Sequence, residues 1–277
     1  MKSLFCCFAA LFLVIGANAQ PITTAQPSPT QTVKQNFGLS AIELSYSRPG
    51  LKGRTVGFEV APYGAVWRTG ANNATTLTFG EEVTIGGTKI PAGKYGLLSI
   101  PTQNEWTMII TKQLDVTSPE AYKKESDVVR VMAKPTKLND KVETFTIQFA
   151  NITPGSTDLQ VLWGNTMVSL PISTDTDKRI MAQIDNLLNK DSRPYFNAAM
   201  YYVDNGKDLK QAITWFDKAI EQNPKNFASY HQKAKALAKT GDKTEARKAA
   251  SRSLELAREA KNNNYISLNE KFLADLK

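Results

Sequence analysis

The chain has 277 residues, 42% of them hydrophobic, so it can bury a sizeable core and exceeds the usual length of one domain. Its formal net charge is +8, but the 34 basic and 26 acidic residues are interspersed. This composition excludes a disordered chain, and the absence of a dense basic stripe argues against nucleic-acid binding.

Residues 1–19 have the pattern of a secretory signal peptide. Lys2 provides a positive start, residues 4–16 are apolar but too few to span a bilayer, and residues 17–19 offer the small side chains of a cleavage site. We therefore predict cleavage after Ala19 and export to the periplasm or the outside of the cell. No later run is long enough for a transmembrane segment in the mature chain.

Both cysteines, Cys6 and Cys7, lie within the predicted signal peptide, so the mature chain is expected to have no thiol, disulfide or cysteine-bound metal. A lipoprotein would need a cysteine at the cleavage point, and these two come too early. The sequence predicts no cofactor. Residues 20–35, rich in Pro, Thr and Gln, are predicted to form a flexible leader.

Residues 36–172 alternate between apolar and polar side chains, which is typical of half-buried strands. The clearest alternating sets are Ile42, Leu44 and Tyr46; Trp106, Met108 and Ile110; and Phe145, Ile147 and Phe149. Further strand-like runs cover residues 77–85, 95–100, 128–133, 159–163 and 167–172. This many short strands separated by Gly and Pro turns predict an all-β sandwich or a barrel-like domain.

Residues 173–277 follow a helical period instead, as Ile180, Ile184 and Leu187 illustrate. Within this all-α region an offset of 34 residues relates Phe196 to Tyr230 and Ala212 to Ala246. The region resembles tetratricopeptide repeats, whose unit has this length. The matching positions of the first unit are Phe196, Ala212, Phe216, Ala219 and Pro224. Those of the second are Tyr230, Ala234, Leu237 and Ala246, whereas Ala250 and Arg258 depart from the pattern. Residues 176–189 and 264–276 are expected to be flanking helices.

Three segments of the first domain, residues 47–54, 62–72 and 90–95, together resemble the bacterial family known as domain of unknown function 2911. The resemblance covers about half of the chain. It implies export and an all-β domain, and it offers no catalytic residues to transfer. The whole sequence resembles those members of the family that carry a repeat-like helical region after the β-domain.

His231 is the only histidine, which excludes a histidine-based catalytic triad or a multi-histidine metal site within one chain. The remaining enzymatic alternative is a carbohydrate-active hydrolase with paired carboxylates. The candidate carboxylates are Glu43, Glu59, Glu81, Glu82, Glu105, Asp115 and Glu143. Solvent-facing charges on a sheet explain the same residues, because alternate strand positions are expected to be polar.

A second constellation combines arginines, aromatic rings and an amide, from which carboxylate, sugar or nucleobase sites are commonly built. Its members are Tyr46, Arg48, Tyr63, Trp67, Arg68 and Asn72. They lie in or beside the long Gly- and Pro-rich connection between early strands, so the sequence predicts a ligand site there. The alternative is structural: Trp67 would belong to the core, and the arginines would stack on rings or bridge loop carbonyls.

In the helical region, Asn197, Tyr201 and Asn205 lie four residues apart, and the 34-residue offset maps them onto His231, Lys235 and Lys239. In tetratricopeptide repeats the first helix of each pair lines the concave groove, so these six predict a polar, partly basic groove for an acidic or carboxylate-ended peptide. A solvated helix face is the alternative. The sequence as a whole predicts an envelope binding or scaffold protein, or else two rigid spacers in a larger assembly.

Overall fold

A computed structural model describes residues 24–189 and 193–276. The predicted signal peptide therefore lies outside the described residues. The chain divides into two compact units between Thr174 and Asp175. The first is built of strands and the second of helices, which confirms the predicted fold class.

The described residues of the first unit, 24–174, form ten strands in two antiparallel sheets. The strands are β1 (Thr30–Phe37), β2 (Ser40–Ser47), β3 (Thr75–Phe79), β4 (Val83–Ile85), β5 (Thr88–Ile90), β6 (Gly93–Ile100), β7 (Trp106–Thr111), β8 (Asp127–Ala133), β9 (Thr136–Ala150) and β10 (Ser156–Ser173). One sheet has the order β1-β2-β3-β6-β7-β8 and the other β5-β4-β10-β9. Two short 3-10 helices, Pro119–Ala121 and Lys124–Ser126, precede β8.

One apolar core joins the two sheets, which makes the unit a sandwich. Leu44, Leu77 and Leu97 of the six-stranded sheet and Phe145 and Val161 of the four-stranded sheet belong to the same buried cluster. The alternation in β2 is clear, since its apolar side chains face the core while Glu43 is exposed. Burial of these side chains is the main driving force for closing the sandwich.

Residues 30–35 were predicted to be part of a flexible leader, and in the structure they belong to β1. This strand pairs with β2 in continuous register from Thr30↔Ser47 to Phe37↔Ser40. Its burial alternates only between exposed and half-buried positions until Phe37. A polar edge strand of this kind carries no apolar signal that would distinguish it from a leader.

Two of the predicted strand runs also differ from the structure. Residues 77–85 form β3 and β4, which lie in different sheets, because the chain crosses the sandwich at residues 80–82. The runs 159–163 and 167–172 are one strand, β10, and the apparent break between them is an irregularity in the pairing with β9 around Gly164. Gly164 has a φ of +60°, which a glycine adopts without strain.

In the second unit, the residues that the structure describes form six helices: α1 (Thr176–Leu188), α2 (Tyr195–Asp204), α3 (Leu209–Gln222), α4 (Phe227–Thr240), α5 (Lys243–Glu259) and α6 (Asn263–Asp275). All but α2 begin after an Asp or Asn whose side chain accepts a backbone N–H of the first turn. Each such cap contributes about 1 kcal/mol of helix stability.

Small side chains allow the helices of this unit to pack closely. Ala212, Ala234 and Ala246 are fully buried, at positions that match the repeat pattern, and Ala250, which departs from the pattern, is fully buried as well. Phe216 of α3 packs between the two helices of the first pair, where its ring meets that of Phe196 of α2 edge to face with centroids 6.0 Å apart. The repeat pattern thus sets the spacing of the helices.

Gly96 provides a test of packing in the sandwich. It lies in β6 between β3 and β7, and a Cβ at this position would be 2.5 Å from the Gln113 carbonyl oxygen and 2.9 Å from Thr111 Cγ2. Because backbone must move to relieve this contact, we expect Gly96→Ala to lower the free energy of unfolding by about 1–3 kcal/mol. Urea denaturation followed by tryptophan fluorescence measures the loss.

The matched control is Gly50→Ala. Gly50 has no positive φ, and a Cβ there would meet nothing closer than 3.6 Å. The free energy of unfolding should stay within about 1 kcal/mol of the parent. Equal losses in the two variants would contradict the packing argument.

Candidate functional site

Trp67 lies where the long connection between β2 and β3 meets both sheets. Its ring stacks on Trp163 with centroids 5.5 Å apart and an interplanar angle of 12°, and it meets Trp106 and Phe145 edge to face. The indole N–H donates to the Gly70 carbonyl at 3.0 Å. Half-buried and bonded at its polar end, Trp67 anchors this connection to the core.

Tyr46 and Arg48 are used in holding the two sheets together. The Tyr46 hydroxyl accepts the Ile147 amide at 3.0 Å and donates to Gln31 Oε1 at 2.8 Å. Arg48 donates from Nε to the Phe145 carbonyl at 3.1 Å and from Nη2 to Thr146 Oγ1 at 2.9 Å. These bonds link β2 and the residue that follows it to β9, so the Tyr46 hydroxyl and the Nε and Nη2 atoms of Arg48 have partners within the fold.

Asn72 lies next to this pair, since its amide nitrogen donates to Ser47 Oγ at 3.4 Å, whereas Tyr63 packs elsewhere. Asn72 has a φ of +57°, and its amide nitrogen donates to the Ser28 carbonyl at 3.1 Å. Tyr63 is 40% exposed, and its ring is tilted against Phe58 with centroids 5.8 Å apart. The structure therefore does not bring the six predicted ligand residues to one pocket.

Arg68 and Trp67 are the two of the six that line a common pocket. It has a volume of about 230 Å³ and lies between residues 62–68 and residues 117–119. Arg68 is half-buried, and its Nη1 donates to the Asn72 carbonyl at 2.9 Å and to the Thr117 carbonyl. The sequence did not identify Thr117 as a wall, because it is distant along the chain and belongs to a loop without periodicity.

Several predicted catalytic carboxylates have structural partners. Glu59 accepts the Thr55 amide and Glu143 accepts the Lys52 amide, both at 2.7 Å. Glu82 forms an exposed ion pair with Lys89 at 3.1 Å. Among the described residues, no group of three or more His, Cys, Asp or Glu side chains could hold a metal ion.

On α2, the predicted groove residues differ in their surroundings. Asn197 is exposed, whereas Asn205 caps the helix by donating to the Tyr201 carbonyl at 2.9 Å. The Tyr201 hydroxyl donates to Asp177 Oδ1 at 2.6 Å. Partial burial and the Asp177 carboxylate raise the pKa of Tyr201 to about 12, so this hydroxyl remains a donor at neutral pH.

On α4, Lys239 is exposed and Lys235 half-buried, but His231 is buried under α6. Its Nδ1 lies 2.8 Å from Asn269 Oδ1, and its ring meets Tyr265 and Phe272 edge to face. His231 thus departs from the prediction that all six residues share one open surface. The sequence could have indicated this burial. The 34-residue offset also maps His231 onto Tyr265 and Lys235 onto Asn269, which places α6 as a further first helix packed against α4.

A buried hydrogen-bond network fixes the form of His231. The Asn269 amide nitrogen donates to Ser253 Oγ at 2.9 Å and to the Tyr265 carbonyl at 2.7 Å, which leaves its oxygen to accept from His231. Nδ1 of His231 therefore carries a proton and donates to the Asn269 oxygen. Burial lowers the pKa of His231, the bond to Asn269 opposes this shift, and Lys235 adds to it.

Comparison with known families accounts for both units. The family described as "Protein of unknown function (DUF2911)" matches residues 28–172, just over half of the chain. The chain belongs to this family. Two tetratricopeptide repeat families match residues 192–226 and 215–248 of the helical unit of this family member. No curated protein matches the chain.

The comparisons agree with the expected resemblance in both halves of the chain. The repeat matches cover α2 to α4 and the start of α5, and tetratricopeptide repeats indicate protein–protein interaction. No helix within residues 24–189 and 193–276 has the length and apolar character needed to cross a membrane.

The lowered pKa of His231 predicts how the stability of the helical unit depends on pH. Unfolding exposes an imidazole that binds a proton below about pH 6.5, whereas the folded form resists protonation. Stability is therefore complete above this pH and falls as the pH decreases toward the folded pKa. The loss cannot exceed about 1.4 kcal/mol per pH unit. Urea unfolding at pH 7.5 and 5.5, followed by circular dichroism at 222 nm, measures it.

The control is His231→Gln, which removes the only side chain with an ordinary pKa in this range. The free energy of unfolding of this variant at pH 7.5 is expected to be lower than that of the parent, because the substitution disturbs the buried hydrogen bond between residue 231 and Asn269. Its stability should nevertheless differ little between the two pH values. A pH dependence equal to that of the parent would show that His231 is not responsible.

Proposed function

We propose that this protein is an exported binding or scaffold protein of the bacterial envelope whose helical unit docks a protein partner. The tetratricopeptide repeats support an interaction role. The first helices of the two pairs, α2 and α4, contact each other, as expected for helices that line one groove. The β-unit is proposed to bind a small ligand in addition, with support from the pocket beside Trp67 and Arg68.

The chemical class of the partner is inferred from the charge of the groove. Lys235 and Lys239 lie one turn apart on α4 and have no acidic partner among the described residues. By contrast, Lys207 pairs with Asp177 at 2.7 Å and Lys233 with Asp217. Two unpaired cations on one face, with the Asn197 amide on the neighbouring helix, suit an acidic or carboxylate-ended peptide.

Substitution of Lys235 and Lys239 by Gln should weaken the binding of an acidic partner. We expect a fluorescein-labelled Asp- and Glu-rich peptide with a free carboxyl end to bind the parent, and the double variant to raise its Kd about tenfold, which corresponds to a modest loss per charge. Fluorescence anisotropy at two salt concentrations measures both the affinity and its electrostatic share.

The matched control changes Lys210 and Lys225 to Gln, which removes the same charge from exposed positions on α3 and on the loop after it. This variant should bind as the parent does. Equal weakening in both double variants would show attraction by net charge alone, and no binding to the parent would remove the acidic-peptide assignment. Crosslinking from a photoreactive residue at Asn197 in living cells then captures the natural partner.

Export is the part of the proposal that rests on the sequence. Its support is the signal-peptide pattern of residues 1–19. Expression in a Gram-negative host is expected to yield a periplasmic form that begins at Gln20, and intact-mass analysis of that fraction identifies its first residue. Replacing Ala19 with Arg should block processing because the cleavage site requires a small side chain. A full-length product in the cytoplasm would refute export.

A further inference from the structure

The pocket beside Trp67 has mainly apolar walls and one cation. Its lining residues are Pro62, Ala65, Val66, Trp67, Arg68, Thr117, Ser118 and Pro119. Its volume of about 230 Å³ equals that of about eight water molecules at roughly 30 Å³ each. The site is therefore the size of a compact ligand with on the order of ten non-hydrogen atoms.

The apolar wall of this pocket is backed by a separate small core. Val66 packs against a buried cluster of Leu98, Ile109 and Val116, which lies on the face of the six-stranded sheet opposite the main core. On the other side, Trp67 is fixed by its stack on Trp163. Walls held in this way are preformed, so ligand binding would not cost the free energy of ordering them.

The cation has free hydrogen-bonding capacity. Arg68 uses Nη1 for both of its carbonyl bonds, while its Nε and Nη2 have no partner within the part of the chain that the structure describes. Other arginines of the unit use these atoms: Arg54 donates from Nε and Nη2 to the Leu51 and Gly50 carbonyls, and Arg130 pairs with Asp127. The Arg68 guanidinium is thus held through Nη1, and its Nε and Nη2 remain able to donate to a ligand.

Within the described part of the chain, no acidic side chain pairs with Arg68. None of the ion pairs among the described residues includes it, and the pocket lining contains no carboxylate. The nearby acid Glu120 accepts from its own backbone N–H and from the Ser118 side chain, and both bonds lower the pKa of its carboxyl group. A guanidinium that forms no ion pair among the described residues, next to an apolar wall, favours an anion that also has an apolar body.

We propose that this pocket binds a small monocarboxylate whose apolar body lies against Val66, Trp67 and Pro119 and whose carboxylate pairs with Nε and Nη2 of Arg68. A carboxylate matches the planar fork with two parallel hydrogen bonds. This inference rests on the proposed small-ligand role of the β-unit and names the class of ligand.

Benzoate, with benzamide as its uncharged counterpart, tests the assignment on the full chain. Benzoate is expected to bind with a Kd on the order of 1 mM, as befits a ligand of its size, and to shift the indole N–H resonance of Trp67. Trp215 in α3 serves as an internal reference that should not move. Benzamide, which cannot form the ion pair, should bind at least tenfold more weakly.

Three variants separate charge, shape and folding. Arg68→Gln should raise the Kd for benzoate at least tenfold. Arg54→Gln is the matched control, because Arg54 is also bonded to loop carbonyls but lines a different pocket, and it should leave the Kd unchanged. Ala65→Leu keeps the guanidinium and its bonds but fills the pocket, so it should abolish binding even if Arg68→Gln disturbs the loop. The thermal midpoint of each variant reports on folding.

The outcomes distinguish this inference from the broader proposal. If benzamide shifts the Trp67 resonance as strongly as benzoate does, the β-unit has a small-ligand site but the assignment to carboxylates is wrong. If Arg54→Gln weakens binding as much as Arg68→Gln does, the site is not at Arg68. If neither probe moves Trp67 at concentrations up to about 50 mM, both the pocket assignment and the small-ligand role fall, whereas the proposed docking by the helices is unaffected.

Discussion

The stack of Trp67 on Trp163 holds the long connection between β2 and β3 in place, and the features of the β-unit that suggest function depend on it. The backbone of Trp67 bridges to Ser99 of β6, while its ring reaches Phe145 of β9. Arg68, the next residue, is thereby fixed at the surface. A large aromatic ring thus converts a Gly- and Pro-rich segment, which would otherwise be mobile, into a rigid platform.

Much of the β-unit could be predicted from the sequence, because alternation reports which side of a strand is buried. It does not report which sheet a strand joins, so the crossing at residues 80–82 was missed. Nor could residue type separate Arg48 from Arg68. Arg48 bonds through Nε and Nη2 to Phe145 and Thr146, almost one hundred residues away, whereas Arg68 bonds through Nη1 alone. Such partners are set by tertiary packing and leave no local pattern.

In the helical unit the repeat length also predicts which residues pack between helices, because each helix pair repeats the packing of the pair before it. The helices of the two repeat pairs and their small buried residues follow from it. The burial of His231 does not follow from two units alone, because it depends on α6 acting as the next first helix. Asn269 of α6 then takes part in a polar network that fixes one arrangement of α4 and α6.

The length of β10 has a consequence for how the four-stranded sheet opens. Its first part is the sheet partner of β9, and its last two residues, Ile172 and Ser173, are the partners of β4. Losing β10 would therefore strip ladder hydrogen bonds from both sides at once. The amide protons of β4, β9 and β10 should therefore exchange with solvent as one cooperative group, whereas the short outer strand β5, which pairs with β4, can fray without disturbing β10.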